Sequence, residues 1–159
     1  MKTADQWFSE YGESHQNSTN KTIHWICVPA IFFSILGLLA AIPHQGLDAV
    51  VGEHWAPYVN WSLALIIPGM IFYLIMSIPL FIGISAFSAL CLYGIALIEQ
   101  SALPLGWTSF SIFALAWIGQ FIGHKIEGKK PSFFKDVQFL LIGPAWLLHF
   151  LYKKAGIPY

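Results

Sequence analysis

The side chains with most capacity for chemistry in this sequence are its six histidines, His15, His24, His44, His54, His124 and His149. Imidazole binds iron, zinc or copper through a neutral nitrogen and can move protons near neutral pH. Two of the six sit in patterned company. Asn20 and His24 are four residues apart, and Gln120, His124 and Glu127 fall at i, i+4 and i+7. On a helix each set shares one face, so the amides and the carboxylate could orient the rings as outer-shell partners. Other chemical signatures are absent: no Walker loop, no dinucleotide fingerprint and no GxSxG elbow. His15 with Ser18, and His24 with Cys27, stand at i, i+3 without a third orienting group, a weak basis for nucleophilic catalysis. Cys27 and Cys91 lie in apolar surroundings and read as small core hydrophobes. The residues leave two readings open for the histidines, as metal ligands or as interfacial groups bonded to water and backbone.

What must position these rings is a membrane bundle. Of 159 residues, 57% are hydrophobic and 10% charged, and the mean hydropathy is +0.64. A chain of this length cannot hide so much apolar surface in one aqueous core, so lipid must cover the remainder. The expected class is all-α, a polytopic helical bundle of four to five spans forming one integral membrane domain over 1–159. Residues 1–22 read as a short interfacial helix and a polar turn. Thr3 and Gln6 have capping-box spacing, and Trp7, Phe8 and Tyr11 share a face suited to the membrane interface or to the end of the bundle. The N-terminal stretch is polar and lacks the apolar core of a cleavable signal.

Spans are expected near 23–42, 61–77, 80–98, 107–123 and 137–152. Residues 61–98 carry no charge across 38 positions. As one helix they would rise about 57 Å, so a break near Ser77-Ile78-Pro79 is expected. The last segment is short and holds Gly143-Pro144, so it either spans or folds in at the interface. With four spans between them, His15 and His24 at one end and His124 at the other reach the same membrane face. His44 and His54 fall in the opposite loop, facing water. His149 returns to the others only if its segment bends at Gly143-Pro144.

All eight basic residues are lysines, and Lys2, Lys21, Lys125, Lys129, Lys130 and Lys135 fall on the face that carries the histidine pair. The positive-inside rule makes that face cytoplasmic, with the N-terminus. The sequons at Asn17 and Asn20 then lie beyond reach of a luminal glycosyltransferase. Formal net charge is zero, and no basic run is interleaved with aromatics, so nucleic acid is excluded as a partner.

The stretch His15-Gln16-Asn17-Ser18-Thr19-Asn20-Lys21-Thr22-Ile23-His24 followed by Val28-Pro29 resembles the opening motif of the 2-hydroxy fatty acid dioxygenase family. So does Trp117-Ile118-Gly119-Gln120-Phe121-Ile122-Gly123-His124 with Glu127 and Pro131, and Gln138 and Gly143-Pro144 continue the likeness over nearly the whole chain. The resemblance implies an iron(II)-dependent membrane enzyme of fatty acid α-oxidation, converting a 2-hydroxy fatty acid with dioxygen to the acid one carbon shorter. It implies His15, His24 and His124 as catalytic metal ligands, with Asn20, Gln120 and Glu127 in support. His149 stands near a position where fungal members can carry glutamate, and it is kept as a fourth ligand. Gln16 departs from a second histidine found there in fungal members. Cytoplasmic membrane of a bacterium and endoplasmic reticulum fit equally well. The alternatives are a non-catalytic lipid-binding or scaffold protein and another metal-dependent lipid-modifying enzyme. Hydroxylases and desaturases commonly use eight or more histidines in HxxxH or HxxHH boxes; no such box occurs here, which favours a mononuclear centre.

Overall fold

The computed structural model describes residues 2–44, 46, 50–52, 54–128 and 139–159. Asp48, Glu53, Lys129, Lys130, Pro131, Ser132, Lys135 and Gln138 therefore lie outside the described residues. Among those described there are six α-helices, one short 3-10 helix and no strand. The helices are α1 (Ala4–Gly12), α2 (Ser18–Ala40), α3 (Leu63–Met76), α4 (Ile78–Glu99), α5 (Leu105–Glu127) and α6 (Ile142–Ala155). The 3-10 helix, Ala56–Tyr58, precedes α3. Three helices, α2, α4 and α5, are long and apolar enough to cross a membrane. Their 22 or 23 residues rise about 33–35 Å, against hydrocarbon about 30 Å thick. Their outer faces expose Ile26, Leu90, Leu97, Leu115 and Ile118, a surface that water would penalise and lipid accepts.

Local chemistry sets the helix ends. Thr3 and Gln6 close both halves of a capping box at α1. Asn17 Oδ1 accepts from the backbone N–H of Thr19 at 2.9 Å and of Asn20 at 3.3 Å, starting α2. The chain breaks at Ser77, which is fully extended and caps α4, with Pro79 in the first turn where its missing N–H costs nothing. Helix α5 stops at Gly128, whose φ of +73° is left-handed and suits glycine.

The main scaffold is the antiparallel pair α2 and α5. A Cβ on Gly37 would collide with Ser109, one on Gly119 with Cys27 Sγ, and one on Gly123 with Asn20 Oδ1. Small residues thus let the two backbones approach closely along most of their length, the usual device for helix pairing in lipid. This register brings the start of α2 against the end of α5.

The 61–77 segment holds the 14-residue α3, which rises about 21 Å. It still joins both ends of the bundle. Ile66, near its start, packs with Leu36, Ala40, Cys91 and Ile95. Tyr73, near its end, packs with Phe8, Tyr11, Leu80, Ile142 and Trp146. So α3 runs toward α1 and α4 returns. Helix α6 begins at Ile142 and does not cross the bundle. It packs on α1 and on the first halves of α2 and α4, and Tyr152 donates to the Pro79 carbonyl at 2.6 Å. The Tyr159 hydroxyl contacts Asp5 of α1, so the tail also stays at this end. Lys153 and Lys154 accordingly join Lys2, Lys21 and Lys125 there. Of the two arrangements the sequence left for α1, it takes the second: Ala4, Phe8 and Tyr11 are buried at the end of the bundle, against α6.

Candidate metal centre

His15 follows α1, His24 lies two turns into α2, and His124 sits in the last turn of α5. All three are at least 95% buried. Their ring centroids stand 4.2 Å apart for His15 and His24, 5.2 Å for His24 and His124, and 5.5 Å for His15 and His124. Each offers a nitrogen within 4.8 Å of the other two. Nitrogens sharing one ion at roughly 2.1 Å lie at most about 4.2 Å apart. A pair at the wider limit would have to close by at least about half an ångström to share an ion.

The backbone fixes which nitrogen is offered. His15 Nδ1 is 2.6 Å from the Tyr11 carbonyl, and His24 Nδ1 is 2.9 Å from the Asn20 carbonyl. A carbonyl only accepts, so each Nδ1 carries the proton and each Nε2 keeps its lone pair. His15 Nε2 is buried with no hydrogen-bond partner, an expense that a cation among the three rings would remove. Burial holds the His15 pKa down to about 4, the nearby His124 pushes the same way, and the Tyr11 carbonyl opposes them. A neutral imidazole is the form that binds metal. This donor set, three imidazole nitrogens in one buried pocket, fits a divalent first-row ion.

Around the trio, Tyr11 stacks on His15 at 4.2 Å and 10°, and Trp146 closes a further side at 5.3 Å. Gln120, also buried, lines the same cavity as His24. That cavity, of about 40 Å³, is lined by Tyr11, Val28, Trp117 and Gly143 among others. It has room for two or three molecules the size of water.

Glu127 does a different job from its place in the polar stripe of α5. Its carboxylate accepts from the backbone N–H of Gln16 at 2.8 Å and of Asn17 at 2.9 Å, and from Asn20 Nδ2 at 2.9 Å. An acid in the last turn of α5 opposes that helix's dipole, but here it meets the positive N-terminus of α2. Asn20 Nδ2 also donates to the Ser14 carbonyl at 3.2 Å, and the Asn20 carbonyl holds His24. One carboxylate therefore ties the loop after His15, the helix of His24 and the helix of His124 into a single knot.

His149 is not brought to the trio. Its ring packs on Phe8 at 4.9 Å and its Nδ1 pairs with the Tyr159 hydroxyl. His44 stands near the Ile42 carbonyl beyond the other end of α2, and His54 lies against Trp55. Sequence reasoning gave Tyr11 and Trp146 no part at the site. Tyr11 precedes His15 by four residues, a spacing that signals a shared face. Trp146 gave no such signal.

The fold and this cluster define a helical membrane protein with a buried tri-histidine site able to hold a metal ion. The chain belongs to the Mpo1-like family, described as 2-hydroxy-palmitic acid dioxygenase Mpo1-like, whose match covers residues 1–155. It is also similar to the 2-hydroxy-palmitic acid dioxygenase MPO1 of Saccharomyces cerevisiae, 29% identical over 149 residues, covering 91% of this chain and 77% of the yeast protein. No solved structure matches the chain.

Proposed function

We propose that this protein is an iron(II)-dependent dioxygenase that converts 2-hydroxy fatty acids to fatty acids one carbon shorter, with His15, His24 and His124 holding the metal. The observation that carries the reading is the meeting of three buried imidazoles that each offer a nitrogen within 4.8 Å of the others, in a chain whose family is described as acting on a 2-hydroxy fatty acid. Bound iron(II) would supply oxygen activation and a template for the acid's carboxylate and hydroxyl. The chain's own residues do the rest. The Tyr11 and Asn20 carbonyls hold two rings in the ligating tautomer. Gln120, Tyr11 and Trp146 keep bulk water from the cluster. Lys21 and Lys125, at the same end, attract an anionic head group arriving along the membrane surface.

The described lysines all gather at the histidine end, which supports a cytoplasmic face for the site. The test is purification in detergent, measurement of bound metal, and an aerobic assay on a 2-hydroxy acyl acid. Iron-replete protein yields the chain-shortened acid, and His24→Ala and His124→Ala lose both metal and product while still inserting. Iron-replete protein that leaves the substrate intact overturns the assignment.

A further inference from the structure

An apolar groove of about 280 Å³ runs along α4 between α2 and α6. Pro29, Ile84, Phe87 and Leu147 line it, and Trp25 borders it. It starts one residue beyond the cavity beside His24 on two separate elements. Val28 and Gly143 line that cavity, whereas their neighbours Pro29 and Pro144 line the groove. The partition between the two is thin: a Cβ on Gly143 would stand 3.0 Å from Val28 Cγ1. From Gly83 to Leu90 the groove follows α4 for about 10 Å away from the histidine end, toward the middle of the bundle.

Polarity falls along the same line. The histidines and the described lysines stand at the head, and hydrocarbon side chains continue inward. An amphiphile with an anionic head and one alkyl tail is complementary to that gradient, and its tail keeps the depth it had in the bilayer. We infer that this groove seats the alkyl tail of the acid whose head reaches the tri-histidine site, and that its length along α4 sets chain-length preference. The inference rests on the proposed activity for the identity of the head group.

Ala86 and Leu90 are exposed groove residues one helical turn, about 6 Å, apart. Ala86→Trp obstructs the groove nearer the head and Leu90→Trp farther in, and neither disturbs a buried core position. Kinetics on 2-hydroxy acids of graded length should show kcat/KM falling about tenfold once the tail reaches the obstruction, the low end of the cost of overfilling an apolar site. Short acids keep wild-type values, and the cut-off comes at a shorter chain for Ala86→Trp than for Leu90→Trp. A 2-hydroxy acid carrying a diazirine near its methyl end gives a readout that needs no turnover. It should label α4 near 86–90 or α6 near 147–151, competed by the unlabelled acid and not by excess phosphatidylcholine. Length profiles identical to wild type in an active enzyme overturn the groove and leave the activity standing. Localised, competed labelling in a protein that turns nothing over supports the groove and overturns the activity. Labelling spread over the outer faces of α3 and α5 without competition shows bulk lipid as the occupant and overturns the inference.

Discussion

Replacing Glu127 by glutamine removes the charge from the knot while keeping its shape. The carboxylate serves Gln16 N–H through one oxygen and both Asn17 N–H and Asn20 Nδ2 through the other. An amide has one oxygen, so its better orientation keeps the second pair and turns an NH₂ group toward the Gln16 N–H. One charge-assisted bond is lost, worth about 2 kcal/mol, and two weaken by about 1 kcal/mol each. The side chain is only partly buried, and water replaces roughly half of this, leaving about 2 kcal/mol. For a chain of this size that is a fall of roughly 5 °C in melting temperature. Metal affinity should fall about tenfold, because the loop after His15 and the start of α2 are no longer held together. Thermal unfolding in detergent measures the first and competition with a chelator the second, with the exposed Glu99→Gln as the comparison. A Glu127→Gln protein that melts with wild type and keeps its metal refutes the clamp.

Gly123→Ala gains up to about 1 kcal/mol of helix propensity but drives a methyl into Asn20 Oδ1. Asn20 is fully buried and tied to Ser14 and Glu127, so overpacking of about 1–3 kcal/mol wins. The variant should unfold more easily and hold metal less tightly; a stabilised variant contradicts the packing. His149→Ala should cost about 1–2 kcal/mol through lost packing on Phe8 and Tyr159 yet leave metal content unchanged, read by elemental analysis. Metal-free protein should also lose stability in acid. His15 titrates near 4 in the fold and 6.5 unfolded, so the unfolded chain binds the extra proton. Its contribution, roughly 3 kcal/mol, is complete above pH 6.5 and disappears as pH falls through about 4. His15→Phe, which keeps the stack on Tyr11, should flatten unfolding profiles across that window; an unchanged slope contradicts the burial argument.

Much of this arrangement is readable before any coordinates. The charge-free run 61–98 must be folded double in lipid, and that doubling brings His124 back to His15 and His24. The i, i+3 spacing of Thr3 and Gln6 declares the cap of α1. What the pattern hides are contacts between distant polar groups. Glu127 shares a helical stripe with His124, so periodicity aims it at the rings, whereas the open N–H groups at Gln16 and Asn17 attract it more strongly. The path of α6 is hidden as well. An apolar segment reads alike whether lipid or protein covers it, and only the hydroxyls of Tyr152 and Tyr159 reveal which.

The knot at Glu127 also orders events during synthesis. When the first hydrophobic segment has left the ribosome, two imidazoles exist, but their third companion and the acid that secures them lie a hundred residues away. A chain stalled with its inner hairpin half inserted has no completed cluster to load. A cluster able to hold an ion is therefore complete only once every crossing has been made.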